Sequence, residues 1–227
     1  MSGAGRVLTV NVAQPRRNPD PTAGGGTAQT GIDKRPTTEP VAVRAPGPMQ
    51  GGLGSGLVGD TIGNPAVHGG DDQAVYAYAR EDLDAWETRL GREIGNGVFG
   101  ENLTTSGIDV TNARIGERWA VGTGGLRLEV SSPRIPCRTF AEWLAIRGWV
   151  KTFTLAAVPG AYLRVIAPGT VSAGDQIDVL HRPEHCVSVG MVFRALTTAP
   201  QLLPAVLEAD ALTAEIKEKA RRRTRAE

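Results

Sequence analysis

Apolar and polar residues alternate over several short stretches of this chain, and the alternation has the two-residue period of β-strands. Val7-Leu-Thr-Val-Asn-Val12, Val41-Ala-Val43, Ala74-Val-Tyr-Ala-Tyr-Ala79, Leu126-Arg-Leu-Glu-Val130, Tyr162-Leu-Arg-Val-Ile166 and Gln176-Ile-Asp-Val-Leu-His181 all read as strands. Gly122-Thr-Gly-Gly125 joins the strand before it to Leu126 as a hairpin signal. Two stretches switch to helical spacing. In the first, Leu83, Trp86 and Leu90 form a stripe that Gly91 is placed to end. In the second, Phe140, Trp143, Leu144 and Arg147 follow each other at helix spacing. After Arg182-Pro183 the pattern becomes helical throughout. Ser188 is a cap for one helix, Pro200 to Leu207 gives a second, and Ala209 to Ala226 a third. The expected fold is therefore mainly β, a barrel or strongly curved sheet over residues 1–182. A small C-terminal α-helical domain of three helices follows at 183–227.

Between the strands lie Gly- and Pro-rich segments, with 29 Gly and 15 Pro in 227 residues, which suits many tight turns. Residues 13–30, centred on Gly24-Gly25-Gly26, and residues 45–56 read as loops. Lys34 and Arg35 fall in a basic turn, where a solvated role is the ordinary one. His68 precedes a Gly-Gly turn, a place for a ligand, an acid/base group or a hydrogen bond that pins the loop. Phe99-Gly-Glu101-Asn102-Leu-Thr-Thr105 reads as a turn whose side chains cap backbone groups.

The densest chemistry follows the strand that starts at Leu126. Leu126, Leu128 and Val130 share one face and Arg127 and Glu129 the other, and Pro133 and Pro136 then end the ladder because neither has an N–H to donate. Cys137 comes next, with Arg134 before it, Arg138 after it and the helical pattern of Phe140 beyond. A thiol at a strand-to-helix junction beside two cations is suited to metal ligation or nucleophilic attack, whereas most cysteines are inert packing. The only other cysteine, Cys186, is distant in sequence, so two separate thiols are expected rather than a disulfide.

Charge and length narrow the classes. A net charge of +1 argues against bulk nucleic-acid binding and a polybasic membrane anchor, while a local cation cluster still allows a small anionic ligand. No apolar run reaches the roughly 20 residues that span a bilayer. The start of the chain lacks a basic-then-apolar signal pattern, so a cytoplasmic location is expected. Walker, Cys-x-x-Cys and His-Glu-x-x-His patterns are absent from the sequence.

Eight segments in order carry a resemblance to a known family. They are Gly31-Ile-Asp-Lys-Arg-Pro36, Gly56-Leu-Val-Gly-Asp60, His68-Gly-Gly-Asp-Asp-Gln-Ala-Val-Tyr76, Phe99-Gly-Glu-Asn-Leu103, Ile115-Gly-Glu117, Leu128-Glu-Val-Ser-Ser-Pro-Arg-Ile-Pro-Cys137, Tyr162-Leu-Arg-Val165 and Ala173-Gly-Asp175. Together they resemble the MOSC family, named after the C-terminal part of molybdenum cofactor sulfurases, and within it the YiiM-like branch with its three-helix C-terminal domain. Ser132 departs from a commoner Gln, and the 13–30 and 45–56 loops are long for the branch. The resemblance implies a MOSC-type β-barrel and a pterin-based molybdenum cofactor with Cys137 as protein ligand to the metal. It makes Lys34, Arg35, Arg134 and Arg138 candidates for the cofactor's anionic phosphate, and His68 and Asn102 candidates for the pocket lining. The implied activity is an oxidoreductase that reduces N-hydroxylated small molecules to amines. A separate reductase is its expected electron-donor partner, because the chain carries no flavin, iron–sulfur or nicotinamide motif. The rival reading is a carrier that holds sulfur or the cofactor on Cys137 without turnover.

Overall fold

The strand pattern closes on itself. The computed structural model describes residues 5–19 and 28–224; the centre of the first loop, Gly24–Gly26, lies outside them. Twelve strands occur among these residues: β1 (Gly5–Ala13), β2 (Arg16–Arg17), β3 (Gln29–Thr30), β4 (Lys34–Thr37), β5 (Val41–Val43), β6 (Val75–Ala79), β7 (Leu103–Ser106), β8 (Arg118–Val121), β9 (Leu126–Pro133), β10 (Ala161–Ala167), β11 (Gly169–Val171) and β12 (Gln176–His181). The order β12-β8-β9-β10-β6-β7-β1 returns to β12, where Gly5 faces Ile177 and Arg6 faces Gln176, and makes a closed seven-stranded barrel. Closure removes the free sheet edges. The pairs are antiparallel except β6–β7. A parallel pair needs a crossover; helix α1 (Arg80–Leu90) makes it, and Gly91 ends α1 in the left-handed region at φ 64° as its position predicts.

β4 differs from the expected basic turn. It pairs with β1 from Val10↔Thr37 to Ala13↔Lys34 and has no second neighbour in the sheet. Pro36 is tolerated there because an edge strand leaves one side of its backbone unpaired. The second helical stretch also differs. It divides into α2 (Arg138–Leu144) and α3 (Trp149–Ala156), because Ala145 turns left-handed at φ 53° and Gly148 does so at φ 73°. Neither geometry continues a right-handed helix.

β6 shows how the core divides. All five of its residues are buried. Val75, Ala77 and Ala79 point into the aliphatic barrel interior, and Tyr76 and Tyr78 point outward into an aromatic layer. Trp86 from α1, Phe140 from α2 and Trp149 and Phe153 from α3 cover that layer. Burial of both faces follows from the period of two, with helices seated on the outside of the barrel wall.

After β12 the chain forms α4 (Val189–Thr197), α5 (Leu203–Val206) and α6 (Ala214–Thr224). Ser188 caps α4 as expected, its Oγ accepting from the Met191 N–H at 3.2 Å. Val189, Val192 and Ala195 of α4 join the barrel's aliphatic core, and Phe193 joins the aromatic layer. No helix among the described residues is long and apolar enough to cross a membrane.

Candidate functional site

The end of β9 and the start of α2 deliver Arg134 and Cys137 to one cavity. β9 holds its alternation to Val130, and Ser131 then ties it down, donating to the Asp72 carbonyl at 2.6 Å. Pro133 is the last residue of the ladder, opposite Ala161. Cys137 takes the N-cap position of α2 in an extended conformation and is half-buried, with no disulfide partner. It lines a cavity of about 500 Å³ together with Arg134, Arg138, His68, Lys34 and Asn102. Six of the seven residues singled out from the sequence therefore meet at one place. Arg35 does not line it; its guanidinium is solvent-facing and pairs with Asp33 at 2.7 Å, a carboxylate also held by Arg16.

The cations of this site are not alike. Lys34 is buried, and its Nζ lies 2.6 Å from both oxygens of Asp60. Asp60 also accepts from the Ala13 N–H, the Ser55 hydroxyl and the Asn102 amide, at 2.7, 2.7 and 2.9 Å. Burial pushes the Asp60 carboxyl up, but Lys34 and these donors outweigh it and hold it below the usual carboxylate value. Lys34 is thus neutralised within the wall of the cavity. Asn102 is similarly occupied: its Oδ1 accepts from the Tyr76 N–H at 3.1 Å and its Nδ2 reaches Asp60.

Arg134 is the opposite case. It is 7 % exposed, and its Nη1 donates to the Phe99 carbonyl at 2.9 Å. Its guanidinium carbon stands 3.8 Å from the centre of the Phe140 ring and 5.4 Å from that of Tyr76. No carboxylate pairs with it among the described residues. Burial works against its charge, yet the Tyr76 and Tyr162 phenols and the Cys137 thiol outweigh that and raise its pKa further, so it stays charged. A buried, charged guanidinium without an acidic partner is unfavourable alone and favours an anion in the adjoining space.

His68 faces the same charge. Burial and then Arg134 lower its pKa, against a hydrogen bond to Gln73, so the ring is neutral at pH 7. Tyr162 also lines the cavity, and its ring centre lies 5.1 Å from that of Tyr76. Burial raises the Tyr162 pKa, with Arg134 opposing. Glu101 accepts from the Gly97 and Phe99 N–H groups at 2.5 and 3.0 Å; Phe99–Asn102 is the side-chain-capped turn expected, but Leu103–Thr105, expected to continue it, are strand β7, paired with β1 and β6. Asp60, Tyr76 and Tyr162 went unassigned in the sequence. Tyr76 and Tyr162 carry strand-pattern signals only, and Asp60 gives no sign that it meets Lys34.

Two loops that line the cavity approach each other closely. A Cβ on Gly31 would lie 2.0 Å from the Thr61 carbonyl oxygen, and one on Gly63 2.6 Å from the Thr30 Cα. Glycine is required at both positions by this close approach.

The fold is a closed β-barrel that brings a free thiol and a buried arginine to one strand-to-helix junction. The chain belongs to the MOSC domain family: residues 64–178 match its profile. It is 32 % identical to the uncharacterized protein YflK of Bacillus subtilis (strain 168) over 183 residues, covering 81 % of this chain and 76 % of that one. It is 30 % identical over 155 residues to a protein named reductase from Gibberella moniliformis, covering 66 % of this chain and 27 % of that one. The crystal structure of YiiM from Geobacillus stearothermophilus superposes with a TM-score of 0.75 at 26 % identity, over 96 % of this chain and 98 % of that one. The chain is a YiiM-like MOSC protein, and the family is associated with molybdenum cofactor binding.

Proposed function

We propose that this chain is a molybdenum-cofactor-dependent oxidoreductase that reduces N-hydroxylated compounds to amines, with electrons from a separate reductase. The observation that carries the reading is the Arg134 guanidinium, buried and without a carboxylate, in one cavity with the Cys137 thiol. A thiolate is a ligand suited to a soft, sulfur-bound metal, and an unpaired cation beside it suits an anionic cofactor. No group of three or more His, Cys, Asp or Glu among the described residues is arranged to hold a metal ion, so this reading takes the other metal donors from the pterin.

The bound cofactor supplies two-electron oxygen-transfer chemistry. Cys137 is assigned as the protein ligand. Arg134 and, at the rim, Arg138 are assigned to its anionic groups. Lys34 and Asn102 are given a different part, shaping the wall through Asp60 rather than touching phosphate. His68, neutral and turned to the cavity, is available to accept a hydrogen bond from substrate. The Tyr76 and Tyr162 rings exclude water from the inner wall. The net reaction breaks the N–O bond, consumes two electrons and two protons, and yields the amine and water. The electrons come from the reductase.

Molybdenum and pterin content of the wild type and of Cys137→Ser, purified from a cofactor-making host, tests the assignment. Near-stoichiometric metal in the wild type and its loss in the variant are expected. Equal metal in both would overturn Cys137 as the ligand. Metal in neither would move a cofactor-free sulfur carrier ahead of the reductase.

A further inference from the structure

A second concavity lies where α2, α3 and the residue that ends α4 meet. Its walls include Ala141, Trp149, Val150, Leu155 and Thr198, with Lys151 at its edge. The floor is apolar, and Val150 and Leu155 are 38 % and 64 % exposed. Exposed aliphatic side chains of this kind mark interaction sites when they cluster in one concavity. The surroundings are basic. Lys151 lines the groove, exposed Arg147 immediately precedes Gly148 of its wall, and Arg223 reaches the Leu196 carbonyl at 3.4 Å, two residues before Thr198. Arg92 donates to the Leu144 carbonyl at 3.1 Å, at the end of α2. Glu142 is the opposing charge beside Ala141.

The groove is also close to the proposed reaction site through bonded and packed atoms. Ala141 in its wall donates its N–H to the Cys137 carbonyl at 3.2 Å, one helical turn away. Trp149 in its floor packs against Phe140 with ring centres 5.4 Å apart, and Phe140 carries Arg134 at 3.8 Å. Two contacts therefore separate the groove from the cavity. Electron transfer falls steeply with distance, so a donor that cannot enter the cavity is well placed within a few contacts of it.

We infer that this groove is the docking surface for an acidic, one-electron carrier protein that delivers the two electrons in successive encounters. The inference rests on the reductase reading. The basic rim selects a carrier with an acidic rim and speeds its arrival, and the small apolar floor suits the brief contact of electron-transfer partners, whose interfaces are at the small end of the range. In each encounter the reduced carrier loses one electron, and two carriers are oxidised for each N–O bond broken.

A reduced plant-type [2Fe–2S] ferredoxin is the acidic probe. Its affinity for the full chain is measured by calorimetry with and without cofactor, for the wild type, Lys151→Glu, Leu155→Glu and, as a control on β10, the exposed Ile166→Glu. Turnover of an N-hydroxylated substrate is measured in parallel with ferredoxin and with reduced methyl viologen, a dye that needs no docking surface. We expect each groove variant to weaken ferredoxin binding roughly tenfold, to slow ferredoxin-driven turnover, and to leave viologen-driven turnover and the control unchanged. Binding that ignores Lys151 and Leu155, an equal loss in Ile166→Glu, or no ferredoxin binding at all would overturn the inference. Ferredoxin binding that follows the groove variants, without turnover from either donor, would support the surface and overturn the reductase reading instead.

Discussion

Lys34 is the residue for which a ligand role and a structural role make opposite predictions. Its ammonium and the Asp60 carboxylate form a buried pair at 2.6 Å, with side chains 6 % and 0 % exposed. Removing one partner leaves the other charge buried without compensation, which costs about 3–5 kcal/mol. Lys34→Met and Asp60→Asn should each destabilise by that amount. For a domain of this size that is a fall in thermal midpoint of roughly 6–20 °C, at about 2–4 °C per kcal/mol. The double variant buries neither charge, so its loss should be smaller than the sum, with a coupling of roughly 2–3 kcal/mol. Urea denaturation at pH 7 reads all four corners of the cycle, provided the slope with denaturant is unchanged. The pH dependence has a definite sign. The folded-state pKa of Asp60 lies below the ordinary value, so its stabilisation is fully present above the unfolded pKa of about 3.9 and is lost as pH falls through the lower folded value. The wild-type advantage over Asp60→Asn should persist at pH 5 and fade in stronger acid. Additive losses, or a Lys34→Met variant that keeps its stability but loses cofactor, would refute the structural role and return Lys34 to the set of phosphate ligands.

Arg134→Met should behave in the reverse way. Met keeps an apolar stem against Phe140 and removes a buried cation that has no carboxylate to strand, losing only the hydrogen bond to the Phe99 carbonyl, so the thermal midpoint should move much less than in Lys34→Met while molybdenum content falls; a large drop in midpoint with metal retained would show the arginine to be structural. Asp82 offers a pH test away from the site: burial raises its carboxyl to about 6, against a hydrogen bond from Thr111. Because the folded-state value is the higher one, stability is lost as pH rises between about 4 and 6. Asp82→Asn should therefore match the wild type near pH 4 and gain on it until pH 6, with a constant advantage above, as thermal denaturation across that range would show.

Six of the seven barrel strands and the barrel class were legible because alternation with period two is a local property, readable wherever a strand has one face in the core; β7 was read as part of a turn, since Leu103–Ser106 has one apolar residue and three polar ones. Leu126, Leu128 and Val130 are buried at 1, 0 and 0 %, as their spacing predicts. β6 was legible as a strand although both its faces are buried, since Tyr76 and Tyr78 alternate with small residues. β4 was not, because its partner is β1 and nothing within Lys34–Thr37 signals that pairing. The break between α2 and α3 escaped for a related reason: Ala145 is a good helix former, yet it is left-handed here and ends α2.

The site divides along the same line. Chain order alone places Arg134, Cys137 and Arg138 together, since they are neighbours at one strand-to-helix junction, and it supplies the chemistry of a thiol among cations. It does not say which cation is available to a ligand. Lys34 and Arg35 are adjacent and look equivalent in sequence, yet one is neutralised inside the cavity wall by Asp60 and the other pairs with Asp33 outside it. Arg134 remains without an acidic partner among the described residues, and that is decided by which side chains the closed barrel brings within a few ångströms. Charge compensation depends on distance and burial, and both are created by the tertiary fold.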